Sequence, residues 1–231
     1  MLNKVTVGPS VQVVIAAWNE EEGIESTIAE FNDHLNSAKV LVVDGWSTDR
    51  TVEFAKNMGA DIAFQDGKGK GDAIAKAVSC LEDDVDYVVL TDADHTYPAE
   101  YVPDMIRVLE RNPDVGMVCG NRFNSEVDKR ALRDVFYVGN RLIAFTHNML
   151  NGVQLADPLT GLRVVRAEIL RGWNVKSRGF DIEVELNHRV ERQGFGIVEI
   201  PIKYRERLGE KKLKPRHAAV ILSRIMQELT Y

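Results

Sequence analysis

Cysteine is scarce in this chain: only Cys80 and Cys119 occur in 231 residues, both in apolar-leaning stretches. Two such residues build no disulfide framework and give no zinc-ligand spacing, a usage that fits a reducing compartment. A basic excess is also missing. Lys and Arg number 29 against 35 Asp and Glu, a net charge of −6, so nothing global points to nucleic acid. No apolar run approaches the roughly 18–20 residues of a membrane span. The opening MLNKVTVGPSVQVVIAAWNE lacks the shape of a secretory leader. A soluble or peripherally attached chain is expected. There is no P-loop, and no G-x-G-x-x-G follows the first strand. That place holds the acidic AAWNEEEGI, which argues against a nucleotidyltransferase with a basic Gly-rich loop there.

What is present is alternation. VQVVIAA (11–17), KVLVVD (39–44), DIAFQ (61–65) and DYVVLTD (86–92) read as buried strands. Between them lie helical patterns. One carries Ile24, Ile28, Phe31 and Leu35; another runs through STDRTVEFAKNMG, with Ser47 or Thr48 as N-cap and Gly59 as stop; a third is GDAIAKAVSCL. Four period switches in a hundred residues predict βαβ units and a parallel sheet. Further on, YPAEYVPDMIRVLERN reads as helix, VGMVCG as strand, 131–151 as a long helix-like segment, and GLRVVRAEIL as strand then helix. FDIEVELNHRVERQG reads as helix, GIVEIPIKY as strand and AAVILSRIMQELTY as an amphipathic helix.

Ligands of an open parallel sheet lie beyond the carboxyl ends of its strands. Here those ends carry Ala17-Trp18-Asn19-Glu20, Asp44-Gly45-Trp46, Asp66-Gly67-Lys68-Gly69-Lys70-Gly71 and Asp92-Ala93-Asp94. Asp92 and Asp94 cannot both ionise cheaply at close range. A divalent cation resolves that conflict, and Mg2+ or Mn2+ prefers hard oxygen ligands together with phosphates. An ordinary turn is the competing reading. The glycines flanking Lys70 admit close backbone approach to an anion or simply form a tight turn. Lys70 meets a phosphate or is solvated. Asp44 accepts from a base or ribose, or caps the next helix. Trp18 stacks on a base or packs.

These motifs resemble, in order from about residue 11 to 214, those of the family 2 glycosyltransferases. VVIAAWNEEEGI, VVDGWSTDRT, GKGKGDAIAKAV, TDADHTYPAE, GNRF, DPLTGLRVVRAEIL and VEIPIKYRERLGEKKLK carry the likeness. The series is most similar to dolichyl- and polyprenyl-phosphate sugar synthases. The resemblance implies an α/β, GT-A fold: a Rossmann-like, mostly parallel sheet flanked by helices. A domain spans 1–214, and 215–231 forms a C-terminal amphipathic helix at the membrane interface or docked on the sheet. It implies an inverting enzyme that moves a hexose from a nucleotide-diphosphate sugar (UDP-glucose, UDP-N-acetylglucosamine or GDP-mannose) to dolichyl or polyprenyl phosphate, in protein or cell-surface glycosylation. Ala17, Trp18, Asn19, Glu20, Asp44, Lys70, Gly71, Asp92 and Ala93 would hold the nucleotide sugar. Asp92 and Asp94 would hold Mg2+ or Mn2+. Arg122, Arg133 and Arg207, with Arg205 the alternative to the last, would handle the lipid phosphate or the leaving group. Work would take place in the cytoplasm, peripherally at the inner face of the membrane. The sequence departs from the family at Gly45, in place of a second Asp, and at Thr96, where Gln is usual, with His95 nearby.

A phosphate acceptor arrives ionised and needs no base, so the protein's task becomes holding two phosphates together, which arginines do through bidentate contacts. The second half supplies Arg122, Arg133, Arg141, Arg163, Arg205 and Arg207, about half of them expected to be surface charges. A hydroxyl acceptor would instead need a carboxylate base, for which Glu183 and Asp157 are the candidates. Asp181 and Glu185 share a helix face, where solvation is the commoner explanation. The segment 203–217 holds seven Lys and Arg against two Glu, a surface suited to anionic headgroups.

Overall fold

The computed structural model describes residues 8–36, 38–123, 143–149, 154–214 and 217–228. Its strands are β1 (Val11–Ala17), β2 (Lys39–Asp44), β3 (Asp61–Phe64), β4 (Tyr87–Asp92), β5 (Val115–Asn121), β6 (Arg163–Arg166) and β7 (Gly196–Pro201). They form one sheet in the order β3-β2-β1-β4-β6-β5-β7. The first four run parallel, as the βαβ pattern predicts. β6 is the exception: it is antiparallel to both β4 and β5, pairing Val88 with Val165 and Val118 with Val164. β5 and β7 are parallel.

The helices are α1 (Ile24–His34), α2 (Thr51–Asn57), α3 (Lys70–Ser79), α4 (Val102–Arg111), α5 (Ala167–Leu170), α6 (Ile182–Arg192) and α7 (His217–Glu228). Residues 143–149 are also helical. Both sheet faces are covered, which is why the strands read as continuous apolar runs. On one face Val13, Ile15, Val42 and Val89 meet Ile24, Ile28 and Phe31 of α1 and Met105 and Leu109 of α4. On the other, Val14, Val43, Val88 and Val165 meet Ala73, Ile74 and Ala77 of α3 and Ile182, Leu186 and Val190 of α6. Cys119 lies in that second layer and Cys80 at the end of α3; both are free thiols.

Several sequence readings shift in detail. α2 begins at Thr51, behind Arg50, so neither Ser47 nor Thr48 is its N-cap. Both instead lace the loops after β1 and β2 together. The helix expected over 97–112 opens with a 3-10 turn, Ala99–Tyr101. Of the long segment expected over 131–151, only 143–149 lie within the described residues. The C-terminal helix α7 docks through Ile221 and Ile225 onto Val184 of α6 and Ile143, while Val220 and Met226 stay exposed. No helix among the described residues is long and apolar enough to cross a membrane.

From β1 the chain builds outward through β2 and β3, then returns to place β4 on the other side of β1. The order therefore reverses beside β1, and the carboxyl ends of β1, β2 and β4 open onto the crevice where such sheets bind ligands.

Candidate active site

Local backbone strain gathers at that edge. The non-glycine residues in the left-handed region among those described are Asn19 (φ 51°), Trp46 (φ 63°) and His95 (φ 60°). They follow β1, β2 and β4 respectively, and such conformations persist only where the surroundings enforce them. The enforcing contacts are visible. Asn19 N–H donates to Ser47 Oγ (2.8 Å), Thr48 N–H donates to Asn19 Oδ1 (2.8 Å), and Glu20 N–H donates to Thr51 Oγ1 (2.8 Å). Asp44 is fully buried, and its two oxygens accept from Ser47 N–H (2.7 Å) and Ser47 Oγ–H (2.6 Å). Asp44 therefore does not cap α2, which starts at Thr51 behind Arg50; it closes the loop after β2 onto Ser47. Ala17 O accepts from Gly45 N–H, and Ala93 O accepts from Thr27 Oγ–H. Trp46 stacks on Phe64 with ring centroids 4.7 Å apart. Trp18 is half exposed, with Lys212 Nζ 5.7 Å from its ring.

The acidic pair is engaged by cations of the chain itself. Asp92 Oδ1 meets Lys70 Nζ at 2.6 Å, and Lys70 also meets Glu183 Oε1 at 2.7 Å. Burial would pull the Lys70 pKa down, but Asp92 and Glu183 outweigh it and the ammonium is held above its usual range. Lys70 is therefore not solvated. Asp94 Oδ1 accepts from Thr96 Oγ–H (2.6 Å) and Thr96 N–H (3.2 Å), and Oδ2 lies 3.3 Å from Arg207 Nη1. Burial, then the Asp92 charge, pushes the Asp94 carboxyl above its ordinary value. Arg207 Nη2 donates to Glu20 Oε1 at 2.6 Å. Burial raises Glu20 to a pKa of about 7 despite that guanidinium.

The glycines at the start of α3 have a structural neighbour. A Cβ on Gly71 would lie 2.3 Å from Ser177 O, and Gly71 N–H donates to Arg178 O. The loop around 177–179 is what presses against this turn. The acids of α6 are likewise not a solvated face: Asp181, Glu183 and Glu185 are all buried. Asp181 accepts from Arg224 Nε (3.1 Å), and Glu185 accepts from the backbone N–H groups of Lys176 and Ser177.

Arg122 follows β5 and makes a bidentate pair with Asp157, both contacts at 2.7 Å, while its own N–H donates to Asp157 Oδ2 (3.1 Å). Burial opposes the charge, yet Asp157 holds the guanidinium well above its usual pKa. Glu199, on β7, accepts from the N–H groups of Ala156 and Asp157 at 2.7 Å each and so fixes the Asp157 backbone. Arg163 is buried, and donates to Thr160 O, Pro158 O and Asn187 Oδ1. It shapes the loop between Asp157 and Gly161 and is not a surface charge. Arg133 and Arg141 lie outside the described residues.

The basic segment runs across the rim. Arg205 N–H donates to Thr96 O and Leu208 N–H to Asp94 O, both at 3.0 Å. Lys212 Nζ donates to Asn19 O at 2.9 Å. This strap separates the two alternative arginines. Arg207 reaches Glu20 and Asp94, whereas Arg205 pairs bidentately with Glu30 and contacts His95. Glu30, Glu199 and Thr27 were not singled out from sequence. Glu30 and Thr27 lie within an ordinary amphipathic helix pattern and Glu199 within a strand pattern, so no local signal marks them.

The donor set suits a divalent ion that prefers hard oxygen and keeps phosphate and water ligands. Asp92 Oδ2 is the oxygen that Lys70 does not take, and a Cβ on Gly161 would lie 2.5 Å from it, so glycine there keeps it clear; Asp94 Oδ2 faces Arg207 Nη1 at 3.3 Å, which an ion would have to displace. No group of three or more His, Cys, Asp or Glu among the described residues could hold an ion unaided. The remaining ligands would have to come from phosphate and water.

Comparison with known proteins agrees with this geometry. Glucosyl-3-phosphoglycerate synthase from Mycobacterium tuberculosis, solved with Mn2+, UDP and glucosyl-3-phosphoglycerate, superposes with a TM-score of 0.75. The match covers 96% of this chain and 81% of that one at 21% identity, a likeness of fold. The architecture is thus that of GT-A glycosyltransferases. A model described as glycosyl transferase family 2 matches residues 12–173, and this chain belongs to that family. The dolichyl-phosphate hexose transferase of Haloferax volcanii is 37% identical over 206 residues, covering 88% of this chain and 86% of that protein. The undecaprenyl-phosphate mannosyltransferase of Micrococcus luteus is 31% identical over 218 residues, covering 88% and 87%. Two other Haloferax volcanii relatives are longer, and this chain spans 63% and 51% of their lengths.

Proposed function

We propose that this glycosyltransferase moves a hexose from a nucleotide-diphosphate sugar to a polyprenyl phosphate with inversion, using Mg2+ or Mn2+ at Asp92 and Asp94. The observation that carries the reading is the state of the candidate bases. Asp157 is consumed by a bidentate pair with Arg122, and Glu183 by Lys70. A hydroxyl acceptor would need a free carboxylate to take its proton; an ionised phosphate does not. The names of the relatives from Haloferax volcanii and Micrococcus luteus support the same acceptor class.

In this reading an acceptor phosphate oxygen attacks the anomeric carbon. The bond from that carbon to the diphosphate breaks, and the leaving diphosphate keeps the electron pair. A divalent ion held by Asp92 and Asp94 would supply stabilisation of the negative charge on the leaving oxygens, an effect of several kcal/mol. Arg207, and Arg122 through the Nη1 that its pair with Asp157 does not use, supply guanidinium charge suited to phosphate oxygens and offset repulsion between the donor and acceptor phosphates. Lys70, bonded to Asp92 Oδ1 at 2.6 Å, fixes the orientation of that carboxylate. Asp94, aimed by Thr96, would hold the cation through its other oxygen. The strap bearing Arg207 and Lys212 covers the nucleotide side of the crevice, and its basic residues beyond 210 suit an anionic membrane surface.

A donor panel tests this. Purified protein with Mn2+ or Mg2+ receives UDP-glucose, UDP-N-acetylglucosamine or GDP-mannose, with and without a polyprenyl phosphate. Nucleoside diphosphate released from one donor only when the lipid is present supports the reading. Release that depends on a sugar hydroxyl acceptor and ignores the lipid would replace it with the alternative chemistry.

A further inference from the structure

Arg207 occupies an unusual position for a residue that is to meet phosphate. It bridges two carboxylates from different strand ends, Glu20 after β1 and Asp94 after β4, at 2.6 and 3.3 Å. The Asp94 oxygen it faces is Oδ2, the one that Thr96 leaves available. The bridge is also incompletely satisfied. Arg207 Nε and Glu20 Oε2 are buried with no hydrogen-bond partner, and such atoms forfeit their hydration without compensation. The backbone beside Arg207 is tied down by the Leu208 N–H bond to Asp94 O. Any departure of Arg207 is therefore a rotation of its side chain about a fixed strap.

We propose that Arg207 is the resident counter-cation of Asp94 and competes with a divalent ion for it, so that the site takes up the ion as a complex with a diphosphate and resists the free ion. The inference rests on the reading of Asp92 and Asp94 as the cation ligands. An ion on Asp94 Oδ2 would stand beside a guanidinium already 3.3 Å from that oxygen, and like charges in a partly buried site repel strongly. Lys70 restrains the other carboxylate in the same way at 2.6 Å. A diphosphate changes the balance. It brings negative charge for the ion and planar-matched oxygens for Arg207, which rotates onto them and gives up Asp94. The unpartnered Nε then gains an acceptor. Metal and nucleotide binding become mutually reinforcing through one side chain.

Mn2+ binding to the full chain, read by the electron paramagnetic resonance signal of the free ion, tests this. Without nucleotide, Arg207→Gln binds Mn2+ about tenfold or more tightly than the unaltered protein. Added UDP or GDP tightens Mn2+ binding strongly in the unaltered protein and much less in the variant. Arg205→Gln removes the same charge from the same strap, but its partners are Glu30 and His95. It stays within about twofold of the unaltered protein. Circular dichroism and thermal melting check folding, and Arg207→Met stands in if the Gln variant fails to fold. No tightening in either Arg207 variant overturns the proposal, as does equal tightening in Arg205→Gln, which would reflect only the general field. Absence of Mn2+ binding in every protein even with UDP and GDP overturns the metal-dependent reading itself, and the proposal with it.

Discussion

Gly161 has room for a hydrogen and little else. A methyl group there would sit 2.5 Å from Asp92 Oδ2 and 2.9 Å from Tyr97 Cε2. Gly161→Ala is therefore expected to displace the Asp92 carboxylate and weaken nucleotide-sugar binding by about tenfold, with an overpacking cost of about 1–3 kcal/mol. Calorimetric titration with the donor reads the first and thermal unfolding the second; unchanged donor affinity would take Asp92 out of the site. A second residue-scale prediction concerns His188. Burial, then His147 and Arg192, lowers its pKa from 6.5 to about 4. Between those values the unfolded chain holds a proton that the folded chain lacks. Stability is thus complete well above pH 6.5 and falls as pH drops through 6.5 toward 4, by on the order of 3 kcal/mol in all. His188→Gln should flatten the fall in melting temperature between pH 7 and 5; an unaltered slope would contradict the assignment. At this scale the sequence shows which residues stand at strand ends, and so it exposes Asp92, Asp94, Glu20 and Lys70. It does not show partners. That Lys70 closes on Glu183, or that Glu199 anchors Asp157 from 42 residues away, follows from tertiary packing alone.

At the scale of elements, period and length identify the long helices and the parallel strands because burial on both sheet faces leaves a strong apolar signal. The direction of β6 is not legible. Its four residues, Arg163–Arg166, look the same whichever way they run, and the choice depends on a connection of some forty residues. The acids of α6 were misleading for a related reason: helical spacing reports a shared face, and the loop at 176–178 and the side chains of Lys70 and Arg224 decide what covers that face. For α7 the structure separates two kinds of apolar position. Ile225 is fully buried against Val184 and Ile143, whereas Val220 is half exposed. Ile225→Ala should cost about 2–4 kcal/mol in chemical denaturation, within the range for buried truncations. Val220→Ser should stay within about 0.5 kcal/mol, as surface changes do. Equal costs would mean that α7 does not dock as described.

For the whole molecule, function follows from where one sheet ends. The reversal of strand order beside β1 opens a crevice, the ends of β1, β2 and β4 line it with carboxylates and loops, and the chain returns after β7 to lay a basic strap across it. The net charge of −6 conceals this arrangement, since the positive charge that matters is local and faces inward. The account's central claim is that a divalent ion held by Asp94 meets a diphosphate at this rim. It is tested most directly by a crystal of the protein grown with a nucleoside diphosphate and Mn2+, using the anomalous signal of manganese to locate the ion. The prediction is a peak bonded to Asp94 Oδ2 and to phosphate oxygens, with Arg207 turned from Asp94 onto the phosphate. Manganese found elsewhere, with Arg207 still bridging Glu20 and Asp94, would contradict it.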